Sequence, residues 1–196
     1  MNKSISLEYK IIKEDISKYI SLSDDEFDYY FGLLKAKKFA RSENLLQSGD
    51  VCKEAYFIQS GCIRYYNLVD GEEQTGQFFF EGSWYSDYDS FLFEKPTTQT
   101  IQALEETTVA VLSKAALQKL YKEVPKFERF GRLMAENAFM GLRKYTESLT
   151  HISAEERYKL LIKSRPKVMQ RVPQQYIASY LGIRPQSLSR IRKNLE

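Results

Sequence analysis

The side chains best suited to contacting a nucleic acid lie close together near the C-terminal end of the sequence. Gln186 and Arg190 carry an amide and a guanidinium, which can form paired hydrogen bonds with base edges in a major groove. Ser187, Ser189 and Lys193 suit phosphate oxygens. These five residues predict a nucleic-acid contact, provided that one element presents them on a single exposed face.

Two helices joined by a tight turn would present that face. The stretch "QQYIASYLGIRPQSLSRIRKNL" has apolar residues in register for a shared core. These are Ile177, Leu181, Ile183, Leu188 and Ile191. Ala178 is small where the helices would cross, Gly182 can take the positive φ that ends the first helix, and Pro185 suits the first turn of the second. The pattern predicts a helix-turn-helix; the alternative is a helical hairpin with a purely structural role.

Positive charge is concentrated in the same region. From Ser153 to Glu196 the sequence has ten Lys and Arg but three Glu, a net charge of +7. The rest of the chain has 19 basic and 23 acidic residues, a net charge of −4. An acidic body with a basic C-terminal part indicates a polyanionic partner, which we expect to be double-stranded DNA. We therefore add Arg171, Gln174 and Arg184 to the expected DNA contacts.

Short antiparallel strands are predicted from about residue 39 to residue 112. This segment is rich in β-branched and aromatic residues, and it is divided by glycine turns such as Gly61. Asp70-Gly71 between two such runs is typical of a hairpin turn. Many short strands separated by glycine turns predict an antiparallel sandwich or roll.

Helices are predicted on both sides of this roll. Ser23 with Glu26, and Ser153 with Glu156, form capping boxes ahead of helical patterns. From Pro125 to about residue 150 nothing interrupts a helix ~35 Å long. We expect its apolar stripe to pair with a second copy of the chain; the alternative is that the helix packs only on its own domain. The stripe predicted for the dimer comprises Phe127, Phe130, Met134, Asn137, Gly141 and Tyr145.

The order of these parts resembles the Crp/Fnr family of bacterial transcription regulators. The likeness covers nearly the whole chain and is strongest in "GSWYSDYDSFLFEKPTTQTIQALE", "PKFERFGRLMAE" and "VPQQYIASYLGIRPQSLSRIRKNL". It implies an α+β fold. An antiparallel, cyclic-nucleotide-binding-like β-roll (a double-stranded β-helix, jelly-roll-like) would occupy residues 1–122, a dimerisation helix 123–150, and an all-α helix-turn-helix domain 151–196.

The same resemblance implies partners. It implies a sequence-specific homodimer on double-stranded DNA, with RNA polymerase as a candidate further partner and a small-molecule effector that the sequence does not identify. Members usually carry a winged β-hairpin after the second helix of the motif. The sequence given stops at Glu196, within the last turn of that helix, so we expect the wing to be absent.

The sequence departs from the family where cyclic AMP would bind. Cyclic-AMP-binding members have a Gly-Glu pair for the ribose and an Arg for the cyclic phosphate, whereas Ser86-Asp87 and Thr98 stand at those places here. Because a buried phosphate without its cation is costly, we expect no response to cyclic AMP and no cofactor. Other residues could line a pocket for a different effector, although such aromatic sets are more often core. The candidates are Phe80, Trp84, Tyr85, Asp87, Tyr88 and Thr98.

Other function classes fit the sequence less well. Cys52 and Cys62 are too few for an iron–sulfur cluster, and His151 has no neighbouring ligands, so we expect no metal site, no catalytic residues and no enzyme on this roll. No apolar run could span a bilayer and no signal core is present, so we expect a cytoplasmic protein without membrane contact. The remaining alternative is a small-molecule-binding roll whose C-terminal domain has lost DNA binding, against which the basic charge and Arg190 argue.

Overall fold

A computed structural model describes residues 8–195 of the chain; residues 1–7 and Glu196, which the predicted domain boundaries include, lie outside the described residues. The helices are α1 (Tyr9–Ile16), α2 (Asp24–Leu33), α3 (Tyr88–Phe93), α4 (Lys114–Glu123), α5 (Lys126–His151), α6 (Ala154–Ser164), α7 (Pro166–Arg171), α8 (Gln174–Tyr180) and α9 (Pro185–Lys193). The strands are β1 (Lys35–Phe39), β2 (Asn44–Leu46), β3 (Glu54–Ser60), β4 (Cys62–Val69), β5 (Glu72–Phe80), β6 (Trp84–Tyr85), β7 (Gln99–Ala103) and β8 (Thr107–Ser113).

Two four-stranded antiparallel sheets form the roll, with strand orders β1-β8-β3-β6 and β2-β7-β4-β5. Side chains alternate along the strands, so that Ile58 of β3 and Ile63 of β4 are fully buried in the core between the sheets. Gly61, at φ 98°, turns the chain from β3 to β4. Asp70 and Gly71, both at positive φ, form the tight hairpin between β4 and β5. The predicted antiparallel roll is confirmed.

Helices α1, α2, α4 and the start of α5 cover the outer face of the first sheet. Phe57 of β3 is fully buried among their apolar side chains. The two predicted capping boxes are both present: Ser23 caps α2 with Glu26, and Ser153 caps α6 with Glu156. Each satisfies two backbone N–H groups that a helix start otherwise leaves without partners.

Helix α5 contacts its own protomer on the face that was predicted for dimerisation. Phe127 is 1% exposed and Phe130 is also buried, both in the core that includes α2 and β3, and Met134 packs against that core. Near the other end, Tyr145 stacks on Tyr180 of α8 with ring centroids 5.0 Å apart. The prediction that these four α5 residues form the dimer face is therefore wrong, because intramolecular contacts already cover them.

Between these two contacts α5 is exposed on all sides. Every residue from 136 to 144 is exposed, including the predicted Asn137 and Gly141. Phe139, Met140 and Leu142 are among the large exposed apolar side chains of the protein. Such a helix requires another surface to cover it if its apolar residues are to leave water.

Helices α6 to α9 form a C-terminal unit that lies on the outer face of the second sheet. One core cluster joins Phe78 and Phe80 of β5 to Ile177 and Leu188 of this unit. The ring of Phe78 also lies 5.4 Å from that of Tyr180. The roll and the C-terminal unit therefore share a continuous apolar interface in this conformation.

Candidate nucleic-acid interface

The turn between α8 and α9 has the geometry that the sequence predicts. Ala178 is fully buried and Leu188 is 1% exposed, in the cluster between the two helices. Gly182 takes φ 66°, and the N–H of Ile183 donates to the Ala178 carbonyl at 3.0 Å. Pro185 occupies the start of α9, where its missing N–H costs nothing. Local sequence signals therefore position α9 as a helix-turn-helix requires.

One half-buried cation fixes this motif to the rest of the C-terminal unit. Arg157 of α6 donates from Nη2 to the Leu181 carbonyl and from Nη1 to the Ile152 carbonyl, both at 2.7 Å. Carbonyls at the end of a helix lack intrahelical partners, so this guanidinium satisfies the end of α8 directly. In the sequence, Arg157 contributes only to the net charge, because no local pattern distinguishes it from a surface arginine.

The outward face of α9 presents most of the predicted contacts. The exposed ones are Gln186, Ser189, Arg190 and Lys193, together with Gln174 at the start of α8. Ser187 is half-buried. Within residues 8–195 the side chains of Arg190 and Lys193 have no carboxylate partner. This face therefore combines hydrogen-bonding amides and hydroxyls with uncompensated positive charge, which suits a polyanion.

Arg171 lies elsewhere, and its predicted DNA contact is wrong. Its guanidinium forms ion pairs with Glu81, at 2.7 Å, and with Glu105, two carboxylates of the roll. Lys167 also pairs with Glu81 at 3.0 Å. Burial alone would raise the pKa of Glu81, but hydrogen bonds from Arg171 and Lys167 outweigh burial and lower this pKa to about 2. Arg171 is thus a contact between the C-terminal unit and the roll.

Arg184, the residue before α9, is also engaged by the roll. Its Nη1 lies 2.8 Å from Oε1 of Glu72, at the start of β5. Both side chains remain largely exposed, in contrast to the half-buried pair of Arg171 and Glu81. Arg184 therefore keeps access to solvent while it is paired.

The contact between the roll and the C-terminal unit also contains a fully buried arginine, which the sequence does not single out. Arg64 of β4 is 0% exposed and lies between two tyrosine rings, 4.2 Å from the centroid of Tyr66 and 3.6 Å from that of Tyr176 in α8. It donates to Thr75 at 3.1 Å and pairs with Glu73. A buried guanidinium needs such partners, and the stacking on Tyr176 is lost if the C-terminal unit leaves the roll.

Hydrogen bonds complete this contact along β5. Ser179 of α8 donates from Oγ to the Glu73 carbonyl at 2.6 Å and accepts from the Thr75 N–H at 2.9 Å. Arg165 donates from Nη2 to the Phe78 carbonyl at 2.6 Å. The free edge of β5 is therefore covered by the C-terminal unit, which protects backbone groups that an edge strand otherwise exposes.

Comparison with known proteins agrees with this architecture. Residues 36–124, from β1 to the end of α4, match the cyclic nucleotide-binding domain family. The fumarate and nitrate reduction regulatory protein of Vibrio cholerae is 25% identical over 184 residues, which cover 87% of this chain and 73% of the relative. The anaerobic regulatory protein of Pasteurella multocida is 25% identical over 190 residues, covering 90% of this chain and 68% of the relative.

Solved structures share the same fold. FixK2 from Bradyrhizobium japonicum superposes with a TM-score of 0.72 at 18% identity, covering 83% of this chain and 84% of that one. A transcriptional regulator of the crp/fnr family from Eubacterium rectale gives a TM-score of 0.69 at 15% identity, covering 88% and 83%.

These matches make the chain similar to bacterial regulatory proteins over most of its length, with a cyclic nucleotide-binding domain at residues 36–124. The two relatives named above are regulatory proteins.

The interior of the roll carries its own stacked aromatic side chains. The rings of Tyr65 and Tyr85 stack in parallel with centroids 5.2 Å apart, and Phe79 lies 4.3 Å from Tyr85. Gly76 leaves room for the Tyr65 ring, because a side chain at this position would overlap it. Burial raises the pKa of Tyr85 well above its ordinary value, and its hydroxyl donates to Gln99.

The six candidate pocket residues are not brought together, so that prediction is wrong. Tyr85 lies in the interior stack, whereas Phe80 is buried on the outer face under the C-terminal unit. Trp84 packs on Phe57 at 5.0 Å, on the side of α5. Tyr88 and Thr98 are exposed on the surface.

Asp87, at the position of the family's ribose-binding carboxylate, has a structural role here. It caps α3 by accepting from the Ser90 N–H at 3.4 Å and also accepts from the Thr97 hydroxyl. It is 6% exposed. A carboxylate whose two oxygens both have protein donors has little capacity left for a ribose hydroxyl.

Across residues 8–195 no three His, Cys, Asp or Glu side chains meet in an arrangement that could hold a metal ion. Burial raises the pKa of the Cys62 thiol to about 12, which disfavours the thiolate form that binds metals. No helix in the described part of the chain is long and apolar enough to cross a membrane.

Proposed function

We propose that this chain is a Crp/Fnr-type transcription regulator, a homodimer that reads a specific DNA sequence through α9 and does not respond to cyclic AMP. The observation that carries the proposal is the exposed face of α9, where Gln186 and Arg190 point away from the buried Leu188. On a helix that enters a major groove, these side chains would meet base edges, while Ser187, Ser189 and Lys193 would hold phosphates.

The dimer would form through the side of α5 that its own protomer leaves uncovered. Ala135, Phe139, Leu142, Thr146 and Leu149 follow each other in alternate steps of four and three residues, the spacing of a coiled-coil seam. We call these five residues the seam. Phe139 is 65% and Leu142 is 56% exposed, and the Thr146 hydroxyl already donates to its own helix at the Arg143 carbonyl. A second α5 would remove these apolar groups from water without burying an unpaired polar group.

Two-fold symmetry then predicts the form of the DNA site. Two copies of α9 related by a dimer axis would read a pseudo-palindrome, with half-sites about one helical turn, ~34 Å, or a small multiple of it apart. The exposed Gln174 at the start of α8 would contact the flanking backbone.

Filling of the roll supports the absence of a cyclic AMP response. The stacked rings of Tyr65, Phe79 and Tyr85 occupy the interior, and Asp87 is held by Ser90 and Thr97. Arg64, the last arginine before Arg129, faces the C-terminal unit rather than the interior. A cyclic phosphate would therefore lack the cation that its burial requires.

Selection of binding sites from random duplex DNA, followed by two variants, tests the proposal. Arg190→Ala should weaken binding to the selected site by roughly 1–3 kcal/mol and relax the preference at one base pair per half-site. Lys193→Ala should weaken binding to all sequences and reduce the salt dependence. If Arg190→Ala leaves both the affinity and the base preference unchanged, α9 does not read the site as proposed.

A further inference from the structure

The hairpin that joins β4 to β5 lies beside the beginning of α9. Its tip, residues 69–73, meets the helix-turn-helix at two places. The Glu72 carboxylate pairs with Arg184 at 2.8 Å, and the Glu73 carbonyl accepts the Ser179 hydroxyl at 2.6 Å. Arg184 directly precedes α9, so the tip is next to the end of that helix that would enter a groove first.

The tip carries negative charge next to the start of α9, where the phosphates of bound DNA would also lie. Asp70, Glu72 and Glu73 are three exposed carboxylates within four residues. Glu73 is paired with Arg64 and Glu72 with Arg184, and Asp70 has no cation partner within the described residues. Like charges repel over the Debye length, ~8 Å at physiological salt, so phosphates that approach the start of α9 would meet this repulsion.

We propose that the hairpin tip is an autoinhibitory contact: it occupies Arg184 with a carboxylate and lowers the affinity of α9 for DNA until it is displaced. The inference rests on the DNA binding proposed above. The Glu72 carboxylate of the roll competes with DNA for the Arg184 guanidinium, and a DNA phosphate must take its place there. Any change that moves the hairpin away from α9 would raise the affinity without altering the reading residues.

This contact can be removed without undocking the C-terminal unit. The Glu72 and Arg184 side chains are 65% and 74% exposed, whereas the main interface rests on Arg171 with Glu81 and on the buried stack of Arg64. Those groups involve α7 and α8 but not α9. Loss of the Glu72 charge should therefore leave the fold and the docked position intact.

The first test compares Glu72→Gln with Asp28→Asn in the full chain. Both changes remove one negative charge, but Asp28 is an exposed residue of α2, on the side of the other sheet. Because exposed ion pairs are weak, Glu72→Gln should tighten binding to the selected duplex by about two- to fivefold, and Asp28→Asn should change it much less. Equal effects of the two variants would show that only net charge matters and would overturn the proposal.

Hydrogen exchange of the Thr75 amide gives an independent readout. This N–H donates to Ser179 of α8, so it reports whether the hairpin stays in place. Addition of the duplex should accelerate its exchange if DNA displaces the tip, and protection that is unchanged at saturating DNA would refute displacement. If the wild type and Glu72→Gln both fail to bind any duplex at low salt, the proposed function fails as well; if both bind equally, only the autoinhibition is refuted.

Discussion

Replacing Phe139 by Asp should dissociate the proposed dimer. The side chain is 65% exposed in the protomer, and aromatic side chains bury about 150–250 Å² in full, so that roughly 100–160 Å² per protomer is available to the seam. At ~25 cal/mol per Å² this area corresponds to about 2.5–4 kcal/mol for each of the two Phe139 side chains in the dimer. Even if only ~3 kcal/mol were lost in total, the dimer Kd would rise by more than about a hundredfold. A buried carboxylate would add to this loss.

Sedimentation equilibrium over a range of protein concentrations measures the effect. Asn137→Asp is the matched control, because it places the same carboxylate on the same helix, on an exposed position outside the seam. Circular dichroism at matched concentrations checks that α5 remains helical. If Phe139→Asp stays as dimeric as the wild type, or if Asn137→Asp dissociates the dimer equally, the seam is not the dimer interface.

Three further predictions concern the roll. Calorimetry should detect no binding of cyclic AMP at sub-millimolar concentration, and a saturable isotherm there would refute the filled interior. Gly61→Ala should lower the free energy of unfolding in urea by about 2–4 kcal/mol, because φ is +98° and the new Cβ would lie 2.7 Å from the Glu106 carbonyl oxygen. Gly71→Ala, with φ +79° and open space around it, should lower it clearly less. Equal losses in the two variants would contradict the steric argument. The stability of the wild type should fall more steeply than that of Glu81→Gln as the pH drops from 4.5 towards 2. The pKa of Glu81 is lowered from 4.5 to about 2, so the ionised carboxylate stabilises the fold fully above pH 4.5, and this stabilisation is lost as the carboxylate becomes protonated. Parallel pH profiles of the two proteins would refute the ion pair.

The features that sequence analysis predicted correctly depend on neighbours in the chain. The capping boxes at Ser23 and Ser153 each need only a glutamate three residues later. Gly182 and Pro185 fix the turn before α9 through their own φ angles. Such signals are complete within a few residues, so tertiary contacts seldom overrule them.

The errors concern contacts between distant residues. Arg171 pairs with Glu81 and Glu105, which lie 90 and 66 positions away, and nothing near Arg171 indicates those partners. On α5 two apolar stripes share one helix. Periodicity located the one through Phe130, but it cannot tell whether the partner is the same protomer or a second copy, so the seam through Phe139 was overlooked.

The glutamates of the roll and the phosphates of DNA would therefore compete for cations of the C-terminal unit. Of the ten cations after residue 152, Lys167, Arg171 and Arg184 pair with glutamates of the roll. On α9, Arg190 and Lys193 are exposed and have no carboxylate partner within residues 8–195. The acidic surplus of the roll thus holds the C-terminal unit in place by the same attraction that DNA would exploit. Added salt weakens both kinds of contact. Because the competing carboxylates are screened together with the phosphates, the affinity for DNA should fall less steeply with salt than a count of the cations of the C-terminal unit would give.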